Sequence, residues 1–155
     1  MSTREQVMQA LYALGTAMTW ADPANGQPVT FASQGRRLKS FTDINGADFP
    51  ALFQVEGDEE VQQRSNLPYK VTLNAAWVIY HHVGMDRSVN GVATNNAITD
   101  AVFTALAPTG GDVMNQRLTL GGLAYHVWVK NKVFKDPGDV DGQGVVIVPI
   151  AILLP

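Results

Sequence analysis

Cysteine is absent from these 155 residues, so the chain has no disulfide, no thiolate nucleophile and no cysteine-based zinc or iron–sulfur site. The redox compartment is left open, but a secreted disulfide scaffold is excluded. Charge is scarce as well: Asp, Glu, Lys and Arg make up 16% of the chain, against roughly 25% in an average soluble domain. A surface so poor in charge is expected to be covered in part by something else. The net charge of -3 comes with no basic stretch, which disfavours direct nucleic-acid binding. Long apolar runs are missing too, since the longest, Val145 to Pro155, falls well short of the roughly 20 residues that span a bilayer. The opening Met1-Ser2-Thr3-Arg4-Glu5 carries no apolar signal core, so no membrane association and synthesis in a cytoplasm are expected. Motifs of catalysis are equally scarce. There is no G-x-S-x-G elbow, no phosphate loop and no G-x-G-x-x-G, so no catalytic residue and no cofactor site is assigned.

What is present has the length of one domain, 1–155, with 46% hydrophobic residues for a core. Ser2 and Glu5 have the spacing of a capping box, and Val7, Met8, Leu11, Leu14 and Met18 follow at helical spacing, predicting a helix to about Thr19. Asp22-Pro23 and Asn25-Gly26 predict a loop over Ala21 to Pro28, and Val29 to Phe41 reads as a strand with a bend or loop at Gly35. After the turn signals Asn45-Gly46 and Phe49-Pro50, Ala51 to Val55 reads as a short strand, and Val61 to Leu67 is polar enough for a loop. Tyr69 to His82 alternates most clearly, with Tyr69, Val71, Leu73, Ala75, Trp77 and Ile79 on one face. Val78 and Tyr80 on its second face predict cover on both sides there. Ile98, Ala101, Val102, Ala105 and Leu106 predict a second helix, with Thr94 or Asn95 as cap and Pro108 as stop. Leu118 to Phe134 reads as a further strand and Lys135 to Gly144 as a loop. Val145 to Leu154 reads as a last strand whose Pro149 implies an edge or a bulge. The order predicts an α+β fold, a mainly antiparallel sheet with two helices packed on one face.

Candidate sites are few. His126 with one of His81 and His82 can in principle hold a metal, although neighbours in a strand point to opposite faces. Asp136 to Gly142 resembles part of a calcium loop but lacks the acidic ligand that should follow it. No metal site is assigned on either. Asp58, Glu59 and Glu60 lie in a run that reads as solvated, without the cleft that general acid–base work requires. Arg36, Arg37, Lys39 and Arg64 are the densest cations, and with Asp58 to Glu60 they form the complementary patches that a head-to-tail subunit contact needs. The candidate subunit-interface residues are therefore Arg36, Arg37, Asp58, Glu59, Glu60 and Arg64.

Three stretches, Phe49 to Glu56, Leu120 to Trp128 and Gln143 to Ile150, resemble the tail terminator (tail completion) proteins of tailed bacteriophages, and the opening helix and Thr72 to Tyr80 fit the same order. The resemblance spans nearly the whole chain and rests on hydrophobic and turn patterns. It implies a non-enzymatic virion subunit that forms a homo-oligomeric ring, usually hexameric, at the head-proximal end of the tail. Such a ring caps the tail tube, stops its polymerisation and offers a surface for the head or neck connector. The loops Asp22 to Gln27 and Asp86 to Thr94 then read as binding segments. The rival readings are another phage neck or tube connector, and a small-molecule or metal-binding module around Trp77, His81, Tyr125 and His126.

Overall fold

The computed structural model describes residues 3–84 and 89–155. Helix α1, Arg4–Thr16, starts at Thr3, whose hydroxyl accepts from the Gln6 amide at 3.2 Å while Gln6 Oε1 accepts from the Thr3 amide at 2.9 Å. The capping box is thus Thr3 with Gln6, one position later than expected; Ser2 lies outside the described residues. The helix stops short of Thr19 because Trp20 and Ala21 form strand β1, which pairs with β2, Pro28–Val29, across the turn that Asp22-Pro23 and Asn25-Gly26 signalled. Trp20 meets Phe31 edge to face, with centroids 5.3 Å apart.

The main sheet contains β3 (Ser33–Gly35), β4 (Ala51–Arg64), β5 (Leu67–His82), β6 (His126–Val129), β7 (Phe134–Asp136) and β8 (Gln143–Leu153). Its order is β3-β4-β5-β8-β6, with β7 also on β8, and every pairing except the parallel β3–β4 is antiparallel. Three expectations are corrected. β4 runs 14 residues instead of ending near Val55, and Val61 to Leu67 is the far end of a hairpin. Polarity there reflects a ribbon wet on both faces, since every residue from Glu56 to Lys70 is exposed. Leu118 to Phe134 is not one strand: Leu120, Gly121, Gly122 and Asn131 take left-handed conformations that end any extended run, leaving only β6 and the start of β7.

The third correction concerns β8, which lies inside the sheet between β5 and β6–β7. Pro149 is accommodated because the outer neighbour is interrupted opposite it: β6 ends at Val129 against Ile150 and β7 begins at Phe134 against Ile147. The Pro149 carbonyl accepts from Lys130 at 2.8 Å, so the position that lacks an N–H faces this interruption and not β5. β8 is therefore not an edge strand, and its register with β5 runs unbroken through Pro149, without a bulge.

Helix α2, Gly91–Ala105, is capped by Asn90, whose side chain accepts from the Ala93 amide at 3.0 Å. Thr94 and Asn95 lie inside it, so they are not its caps. The loop expected over Asp86 to Thr94 is correspondingly shorter; Asp86 lies outside the described residues. Both helices pack on one face: Val7, Met8 and Leu11 of α1 and Ile98 and Val102 of α2 cover Leu73, Trp77, Ile79, Val148 and Ile150. The fold is α+β with a mainly antiparallel sheet, as the alternation predicted. On the opposite face Ala51, Phe53, Val78 and Tyr80 form a smaller core closed by Phe41, Ile44 and Phe49, which two single 3-10 turns hold in place. Tyr80 anchors that cover by donating to the Lys39 carbonyl at 3.0 Å. Among the described residues no helix is long and apolar enough to cross a membrane.

Candidate functional site

The most distinctive surface is the β4–β5 hairpin. β3 pairs only with Ala51–Phe53, and β8 reaches along β5 only to Thr72, so the rest of the hairpin stands beyond the body as a two-stranded arm. Arg64 and Leu67 pair at its tip, with Asn66 left-handed between them (φ 59°), a demand asparagine meets more easily than most residues. Register shifts lie between Glu56 and Glu59 and between Gln62 and Arg64. Val61, Leu67 and Tyr69 are each about 60% exposed on this arm, an apolar set that the sequence reading missed. The available signal was the Ser65-Asn66 pair, a two-residue hairpin turn between segments of matching length.

The six candidate interface residues all lie on or beside this arm, but most already have partners inside the chain. Arg36 pairs with Glu5 at 2.5 Å and also with Glu56, fastening the segment after β3 to α1 and β4. Glu59 meets Arg4 at 2.5 Å, and Glu60 meets Lys130 at 2.6 Å. Arg64 donates to the Pro68 carbonyl at 2.9 Å and 3.1 Å, bracing the tip. Only the side chains of Arg37 and Asp58 make no hydrogen bond or ion pair among the described residues. Arg36 holds the Glu5 carboxyl below its usual range, as Arg4 does for Glu59 and Lys130 for Glu60. All three are solvated, so each pair adds little to stability.

Histidine is dispersed. His81 pairs with Gly144 at one end of β8 and His126 with Leu153 at the other, nine residues and about 30 Å apart, on opposite faces of the sheet. They do not share a metal or line a common pocket with Trp77, which is fully buried. Asp136 and Asp141 accept from the amides two residues on, at 2.9 Å each, as turn supports. Among the described residues no group of three or more potential metal ligands comes together. Of the open clefts at the described residues, two bear on a ligand-binding reading. One, about 670 Å³, lies between α1 (Ala10, Ala13, Leu14) and the 118–122 turn over Asp112. The other, about 460 Å³, has Trp20, Phe49, His81 and His82 in its wall.

His81 is buried and its Nε2 lies 2.6 Å from Asn95 Oδ1. Burial depresses its pKa, opposed by the Asn95 hydrogen bond and by Asp136 on β7. A histidine that binds its proton less readily folded than unfolded contributes most stability above its unfolded value, near 6.5, and loses it as pH falls toward the lower folded value. His126 adds in the same direction, through burial and then Arg117. The melting temperature should therefore drop as pH falls below about 6.5, and His81→Gln should flatten part of that drop. An unchanged slope in the variant would remove His81 as the source.

Compared with protein-family models and with curated proteins, the chain matches none.

Proposed function

We propose that this chain is a non-enzymatic structural subunit of a tailed bacteriophage. It forms a ring, usually of six copies, that caps the tail tube, ends its polymerisation and presents a surface to the head or neck connector. The observation that carries this reading is the arm. A ribbon that projects from a well-packed body and exposes Val61, Leu67 and Tyr69 is suited to reach a neighbour, because apolar contact area is what stabilises a subunit interface. The resemblance to tail terminator proteins supplies the kind of neighbour: further copies in a ring, the tube beneath and the connector above. Of the two cations in tandem, Arg37 is the one open to an intermolecular role, because Arg36 is held by Glu5 and Glu56.

The test is light scattering behind size-exclusion chromatography with negative-stain imaging, over a range of protein and salt concentrations, with and without purified tail tubes. A species about six times the 16.8 kDa subunit, with a central hole, or a cap on tube ends, is the expected result. Leu67→Glu with Tyr69→Glu should abolish it, while their exposure leaves the melting temperature within about 4 °C of the parent. A strict monomer that also ignores tubes would overturn the reading. A ring that binds the neck and not the tube would move the chain to a connector role. The second reading, a small-molecule-binding module, is favoured by the 670 Å³ cleft beside α1. It predicts a ligand that raises the melting temperature of the monomer.

A further inference from the structure

The two edges of the arm are not equivalent. On the β5 side Pro68 has no N–H to offer and Lys70 places a charge, two devices that stop a strand edge from recruiting another strand. Between Asp58 and Arg64 the β4 side has no proline and no lysine, and its charges, Glu59 and Glu60, already pair with Arg4 and Lys130. The backbone there is also turned outward. Val71 accepts the Leu154 amide at 3.0 Å, so its polar groups face β8 and not β4. Residues opposite each other in an antiparallel pair either exchange both hydrogen bonds or make none. Val61, opposite Val71, therefore makes none with it and points its own N–H and C=O to the open side. Glu59, opposite Leu73, does the same.

We infer that this edge pairs with the same edge of a second copy, antiparallel, about a two-fold axis through Val61. In that register Val61 exchanges both backbone hydrogen bonds with its counterpart and the two exposed valine side chains meet. Glu60 falls opposite Gln62, and Glu59 opposite Gln63, so no like charges face each other. Asp58, whose side chain makes no hydrogen bond or ion pair among the described residues, falls beside Arg64 where the paired stretch ends. Moving the axis one residue toward the N-terminus sets Glu60 against Glu60, which like-charge repulsion disfavours. The register shifts on either side of Glu59–Gln62 twist the edge away and confine the contact to a few residues. The dimer is accordingly weak and dependent on concentration. A two-fold contact closes on itself and does not propagate. It describes the unassembled subunit, with its recruiting edge covered, and stands apart from the ring reading.

The absence of native cysteine makes the test clean. Val61→Cys should oxidise to a disulfide-linked dimer at least about tenfold faster than Val140→Cys, because pairing raises the local thiol concentration. Val140, on the turn before β8, is 93% exposed and supplies the collision rate. Glu60→Cys and Gln62→Cys should link to each other when mixed and not to themselves. Val61→Pro removes only the outward N–H, a change an edge strand tolerates, and should leave a folded monomer. Equal oxidation rates for the Val61 and Val140 variants, or self-linking of Glu60→Cys, would overturn the inference. If Val61→Pro fails to fold, the cysteine rates decide alone. Ring formation on tubes is read separately, and its failure would leave these rates unchanged.

Discussion

Trp77→Ala should destabilise the chain by about 3–5 kcal/mol, a large part of the roughly 5–15 kcal/mol that holds an average domain together. At this size that is a fall of about 10–15 °C in melting temperature. Trp77 is the largest fully buried side chain, and it lies under both helices at the centre of the sheet. Its indole also joins a polar thread through the core. Nε1 donates to Gln54 Oε1 at 3.1 Å, and Gln54 Nε2 donates to the Met8 carbonyl at 2.9 Å, linking β5 through β4 to α1. Trp77→Phe retains much of the apolar volume but leaves the Gln54 carbonyl unpaired, and should cost about 1–3 kcal/mol. Urea unfolding followed by circular dichroism separates the two contributions. A Phe variant as stable as the parent would mean that Gln54 finds another donor.

Gly144→Ala is the second large effect. A methyl group at Gly144 would overlap the His81 imidazole on the neighbouring strand. That ring is buried and bound to Asn95, so it has little freedom to turn aside. Overpacking of this kind costs about 1–3 kcal/mol and occasionally more. If the clash with His81 is the cause, His81→Ala removes it, and the double variant should be no less stable than His81→Ala alone. Simple additivity of the two single effects would show that Gly144 is needed for another reason.

Much of the fold could be read from residue patterns, and the failures fall where burial imposes no period or where distant parts of the chain meet. The alternation from Leu73 to Tyr80 placed Trp77 and Ile79 toward the helices and Val78 and Tyr80 toward a second cover, because burial imposes a period of two on a strand. The same rule is silent where nothing is buried. Glu56 to Arg64 is a strand held by ladder hydrogen bonds with water on both faces, so its sequence carries no period to detect. His81 was legible as a strand residue, but Asn95 lies inside α2 and is not its cap, and the contact between the two depends on the angle at which α2 crosses the sheet. The charged residues were found as a cluster. Their pairing within the chain depends on Arg4, Glu5 and Lys130, which come from other parts of the sequence.

The position of β8 has a consequence for how the protein comes into being. It is the last strand of the sheet to be synthesised, yet it lies between β5 and the β6–β7 edge and supplies Val146, Val148, Ile150 and Ile152 to the main core. While residues before Gln143 emerge from the ribosome, the hairpin can zip locally, but the body has an open slot down its middle. At about 5–20 residues per second that slot stays open for several seconds. The nascent chain is then most exposed to chaperones and to wrong strand partners, and β8 is the segment whose arrival ends that interval.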